Sequence, residues 1–155
     1  AVAAFVDWSR KAGIDADPAK RFHAPNVPAR QLFAEGYIAK QSGHSRGHTV
    51  DLGIIALGAE LTPPQAFPSE GDCTTVYPPD LADMGSSFDC LDRKSWNGAA
   101  GLTAEQRRNR NTLRAAMTAG GFRPYNKEWW HFAYPPGDPG KAFDFLVDPA
   151  ALPVD

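Results

Sequence analysis

A chain of 155 residues with a formal net charge of −2 has the size of one domain that buries roughly two-thirds of its unfolded surface. It has no run of like charges and no basic stripe, which argues against nucleic acid as its main partner, and no apolar run approaches the ~20 residues of a membrane span. With 14 Gly and 14 Pro, a modest regular core with long connections is expected.

Ala1 to Ala12 reads as a helix, with Val2, Phe5, Val6 and Ser9 at helical spacing and Asp7, Arg10 and Lys11 outside. Asp7 and Arg10 interrupt this apolar stretch, so it does not read as a signal peptide. The helix has no N-cap, which reads as a chain cut inside a domain. Ile14 to Pro28 carries three prolines and reads as an extended surface loop, with His23 as an exposed loop histidine. Ala29 to Gly36 is a short helix at best, and Tyr37-Ile38-Ala39 reads as a strand. Ser45-Arg46-Gly47 is a turn, and Val50 to Leu57 is apolar and β-branched enough for a buried strand.

Gly58 to Leu81 is Pro-rich and aperiodic, a long loop that is functional or tied down. Cys73 lies in it, and Cys90 follows after 16 intervening residues. A disulfide between them would contribute about 3 kcal/mol and imply an oxidising compartment. Two reduced thiols or zinc-ligating cysteines are the alternatives. Met84-Gly85-Ser86-Ser87-Phe88-Asp89 is a tight turn ending in an aspartate, which by itself reads as a turn cap. Thr103-Ala104-Glu105-Gln106 has capping-box spacing and opens a helix to about Ala119, stopped by Gly120-Gly121. Arg107, Arg108, Arg110 and Arg114 read as its solvated face. Glu128 to Tyr134 and Phe143 to Val147 read as strands.

Two stretches carry the chemistry. Ser42-Gly43-His44-Ser45-Arg46-Gly47-His48-Thr49-Val50-Asp51 and Glu128-Trp129-Trp130-His131-Phe132 supply two imidazoles and a carboxylate, a set that suits Zn²⁺. Three protein ligands leave a fourth position for water, and a free glutamate can take that water's proton. The pattern therefore points to a zinc hydrolase. One difficulty stands: on a regular strand, residues 128 and 131 face opposite sides, and they meet only where a turn or bulge re-aims one of them. Taken singly, His131 among Trp129, Trp130 and Phe132 reads as a packed core histidine.

These two stretches, with Met84-Gly85-Ser86-Ser87-Phe88-Asp89 between them, resemble in content and order the zinc D-alanyl-D-alanine dipeptidases. The wider group includes D,D-carboxypeptidases and L,D-endopeptidases of peptidoglycan. The resemblance implies an α+β fold, with a small antiparallel sheet carrying the zinc on one face and helices flanking it. It makes residues 1–155 a single zinc metallopeptidase domain. It implies His44, Asp51 and His131 as ligands of Zn²⁺ and Glu128 as the general base that later protonates the leaving amine. Asp89 would receive the ammonium of a small D-amino-acid dipeptide, and Ser42 would lie near that substrate. Gly43 stands where Ser is frequent, and His48 occupies a variable position.

The Cys73 loop and Cys90 resemble exported bacterial members, which implies a bridged pair and a periplasmic or secreted location. The family's carbonyl-polarising arginine lies in a Tyr-Arg-Pro-like segment before the first helix here, and no arginine of this chain matches it. The N-terminal part of the domain is therefore expected to be supplied by a separate chain after cleavage, disordered, or left out. The leading expectation is cleavage of D-Ala-D-Ala. The alternatives are a D,D-carboxypeptidase on peptidoglycan stems and a non-catalytic, zinc-stabilised domain that binds cell-wall peptide.

Overall fold

Helix α3, Ala104–Ala119, is the longest regular element, and its start is fixed by its sequence. The Thr103 side chain accepts from the Gln106 backbone N–H, and the Gln106 side chain accepts from the Thr103 N–H. This reciprocal capping box satisfies two donors that a helix start leaves without partners. The structure is a computed structural model that describes residues 2–59, 70–75, 77, 79–135 and 141–143.

Two shorter helices precede α3. Helix α1 is Val2–Ser9 and helix α2 is Pro18–His23. The expected loop over Ile14 to Pro28 is thus largely helical: Ile14–Ala16 forms a 3-10 turn and α2 follows it directly. The reason is Asp17-Pro18. The Asp17 carboxylate accepts from the N–H groups of Ala19 and Lys20, and proline suits the first helical position because it has no N–H to leave unpaired. Tyr37-Ile38-Ala39 is not a strand. The N–H groups of Tyr37 and Ile38 both turn back to the Leu32 carbonyl, closing the turns that follow the 3-10 segment Ala29–Gln31.

The sheet is antiparallel and has three strands in the order β1-β3-β2: β1 is Thr49–Asp51, β2 is Arg123–Pro124 and β3 is His131–Ala133. Pairing sets Thr49 opposite Ala133, Val50 opposite Phe132 and Asp51 opposite His131. Both expected strands are therefore shorter than their apolar runs. After Asp51 the chain keeps only single bonds, such as Leu52 N–H to the Trp130 carbonyl, and an isolated bridge between Ile55 and Leu81. Of the expected strand over Phe143 to Val147, residues 144–147 lie outside the described residues.

One core cluster joins Phe132 of β3, Trp129, Trp130, Met84 and Leu113 of α3 to Cys73 and Cys90, which form a disulfide. A second gathers Ile14, Ala24, Ala29, Leu32 and Ile38. Arg110 does not belong to a solvated face. It is buried, and its guanidinium donates to the carbonyls of Met84, Lys94 and Trp96. It thereby ties α3 to the loop that leads into and out of Asp89.

Candidate metal centre

The sheet register brings the first two candidate residues together. Asp51 ends β1 directly opposite His131, the first residue of β3, and cross-strand partners project to the same face. His131 Nδ1 lies 3.0 Å from Asp51 Oδ1. His44 comes from the 3-10 turn His44–Arg46 just before β1, and its Nε2 lies 3.3 Å from Asp51 Oδ2. Ser42 Oγ accepts from the His44 N–H at the start of that turn. Gly47 ends it in a left-handed conformation (φ 74°) that glycine adopts without steric penalty. The two imidazoles meet edge to face at 5.0 Å. Each of His44, Asp51 and His131 offers one donor atom, and these atoms lie within 4.8 Å of one another.

Glu128 joins them because strand β3 does not reach back to it. The His131 N–H points to the Glu128 carbonyl across a turn through Trp129 and Trp130. Residues 128 and 131 therefore face the same side, with His131 Nδ1 3.4 Å from Glu128 Oε2. Trp129 is held by a hydrogen bond from its Nε1 to Ser86 Oγ, and Ser86 Oγ bonds Ser95 Oγ. Asp89 is the one non-glycine residue with positive φ (55°) among the described residues. Aspartate is among the few non-glycine residues that enter this left-handed region, and here it does so at a turn beside the candidate site. Its carboxylate lies within electrostatic reach of Asp51, His131 and Glu128.

The donor set fits a cation. Asp51 Oδ1 is buried and receives no well-aligned hydrogen bond, although His131 Nδ1 is only 3.0 Å away and the pair attracts. A buried carboxylate oxygen this close to an imidazole nitrogen, without a well-formed hydrogen bond between them, suits a shared metal ion. The electrostatics agree. Burial pushes the Glu128 carboxyl up to about 7, with His131 opposing and the Asp51 and Asp89 carboxylates adding to the rise. Burial likewise pushes Asp89 up to about 6, Asp51 adds to this, and His131 opposes it. Burial disfavours the His131 imidazolium, but the adjoining Asp51, Glu128 and Asp89 outweigh it and raise its pKa. A divalent cation among these groups would reverse all three tendencies by favouring carboxylates and neutral imidazoles.

A family model described as D-Ala-D-Ala dipeptidase matches residues 12–147. The chain belongs to this family. It is a metallopeptidase family, in keeping with the cation-ready donor set. Three curated relatives carry the name D-alanyl-D-alanine dipeptidase. The one from Enterococcus faecium is 32% identical over 149 residues, which is 95% of this chain and 63% of the relative. The one from Streptomyces coelicolor is 35% identical over 148 residues, 95% of this chain and 63% of the relative. The one from Enterococcus faecalis is 33% identical over 132 residues, 85% of this chain and 55% of the relative. The chain thus spans between 55% and 63% of the length of these relatives.

The structure gathers His44, Asp51, His131, Glu128 and Asp89, whereas His48 stays outside the metal-ready group and contacts Thr49 Oγ1 through its Nδ1. Gly43 is hemmed in: a Cβ there would fall 2.0 Å from Thr49 Oγ1, so a serine at this position requires the Thr49 side chain to turn. Cys73 and Cys90 are bridged and ligate nothing, which leaves the disulfide from the three sequence alternatives. His23 is not an exposed loop histidine. It ends α2 and its Nδ1 donates to the Asp89 carbonyl at 2.9 Å. No local pattern marks that contact, because the partners are 66 residues apart. The sequence likewise carries no signal for Tyr125, whose ring packs edge to face on His131 at 5.6 Å.

Proposed function

We propose that this chain is the metal-binding part of a zinc metallopeptidase that hydrolyses D-Ala-D-Ala. The observation that carries the reading is the Asp51 carboxylate set between two imidazoles, its buried Oδ1 without a well-aligned hydrogen bond, with Glu128 beside His131. Zn²⁺ is the ion of choice because two histidines and one carboxylate suit it. The three donor atoms, one from each residue, lie within 4.8 Å of one another, near enough for one ion to gather them. A Zn²⁺ ion held by His44, Asp51 and His131 would polarise the scissile carbonyl and make water a better nucleophile at neutral pH.

The residues then divide the work. Glu128 accepts the proton of the attacking water at a carboxylate oxygen and returns it to the departing amine nitrogen. Its carboxylate is placed for both transfers by the turn that sets it beside His131. Asp89 receives the free ammonium of the dipeptide, and Ser42 stands at the entry to the His44 turn. The disulfide supports a periplasmic or secreted location, since such bonds persist in oxidising compartments.

The test is a comparison of D-Ala-D-Ala with an N-acylated analogue, using the complete zinc-loaded protein. Preferential cleavage of the free dipeptide supports the reading. Preference for the N-acylated peptide would establish a D,D-carboxypeptidase instead, because that substrate carries an amide where the dipeptide carries its ammonium. Binding of either peptide without cleavage would establish a cell-wall peptide-binding domain.

A further inference from the structure

We propose that His23 is a positioning residue for substrate selection: its Nδ1–H holds the Asp89 carbonyl and so aims the Asp89 carboxylate at the substrate's free amino group. The inference rests on the reading of Asp89 as the ammonium anchor.

Asp89 sits in a left-handed conformation that an aspartate does not prefer. Its surroundings explain why it stays there. The segment after it is pinned at Cys90 by the disulfide to Cys73 and by Ser95 Oγ, which donates to the Cys90 carbonyl at 2.6 Å. The Leu91 N–H donates to the His23 carbonyl at 2.6 Å. On the other side of Asp89, the Ser87 N–H donates to the Cys73 carbonyl, and the Cys73 N–H donates to the Phe22 carbonyl. The C-terminal end of α2, Phe22-His23, is therefore the post to which both neighbouring loop segments are tied. Within this frame the peptide unit at Asp89 itself is gripped by the His23 ring, at 2.9 Å.

The chemistry of the ring suits the task. A carbonyl can only accept, so the ring must carry its proton on Nδ1. Burial lowers the pKa of His23, while the bond to the Asp89 carbonyl opposes this, and the net lowering favours the neutral ring with its proton on Nδ1. A neutral donor fixes the backbone without adding a positive charge that would compete with a substrate ammonium for Asp89. The T-shaped contact with Phe22, at 5.0 Å, orients the ring. If the carbonyl were released, rotation about the flanking torsions would swing the carboxylate away from Asp51 and His131. The metal ligands, which come from β1, β3 and the His44 turn, would stay in place.

Calorimetric binding of D-Ala-D-Ala and of N-acetyl-D-Ala-D-Ala tests this. The protein is the complete zinc-loaded form carrying Glu128→Gln to prevent turnover. The parent should prefer the free dipeptide by about ten-fold or more, and Asp89→Asn should abolish that preference. If the parent has no preference, the ammonium-anchor reading itself fails, and the role of His23 falls with it. If the parent has the preference, His23→Ala should reduce it about ten-fold with zinc stoichiometry unchanged. His23→Asn should keep it, because an asparagine amide N–H occupies nearly the position of the imidazole Nδ1–H. His23→Gln, whose amide reaches further, should behave like His23→Ala and replaces it should the alanine variant not fold. Full preference in His23→Ala or His23→Gln, or loss of it in His23→Asn, overturns the proposal.

Discussion

The carboxylate of Glu128 and the imidazole of His131 stand 3.4 Å apart, although three positions in an extended strand would send them to opposite faces. The turn through Trp129 and Trp130 delays the start of β3 to His131, and both tryptophans are buried in the core beneath it. The aromatic pair thus has a geometric consequence beyond packing. It places the candidate base beside a candidate metal ligand.

Glu128→Gln removes the proton acceptor and nearly preserves the shape. The kcat of the complete enzyme should fall by about 10²–10⁴. KM and zinc content should change little, since Glu128 is not among the three candidate ligands. Steady-state kinetics with metal analysis checks this, and an active variant would remove Glu128 from the role of base.

The metal itself gives the second prediction. Chelator-treated protein should gain thermal stability on addition of Zn²⁺, by about 2.7 kcal/mol at a free zinc concentration 100 times Kd. His44→Ala and His131→Ala should each lose most of that gain and bind well below one equivalent. Equal zinc content in wild type and His131→Ala would show that His131 is not a ligand.

Reduction of the Cys73–Cys90 bond, or Cys73→Ser with Cys90→Ser, should cost about 3 kcal/mol in urea unfolding, given its sequence separation of 17. Because Cys90 adjoins Asp89, the reduced protein should also lose selectivity for a free amino end before it loses zinc. A midpoint that does not move with reductant would mean that the bond constrains little in the unfolded chain.

Arg110→Met should destabilise the protein by about 3 kcal/mol or more, since the carbonyls of Met84, Lys94 and Trp96 all lose their donor. Arg110→Lys should rescue little of this. An ammonium cannot reproduce the fork that reaches three carbonyls at once. Chemical denaturation of the two variants measures both effects.

Residue types and local order determined a good part of this protein. Two histidines and an aspartate in two motifs already mark a candidate cation site, and the fold brings the three together. Thr103 and Gln106 specify the start of α3 by capping chemistry confined to four residues. Asp17-Pro18 carried an equally local signal for α2, masked by the prolines around it. The tertiary structure decided what depends on distant partners. The extent of β1 and β3 follows from pairing that stops at Asp51 and His131, not from the length of their apolar runs. Arg110 looks like any surface arginine until three carbonyls from another loop converge on it. His23 looks like an idle loop histidine until the disulfide-bonded segment brings the Asp89 carbonyl to its ring. Spacing within a motif reports which side chains share a turn. Which backbone a side chain holds across 66 residues is set by the packing of the whole chain.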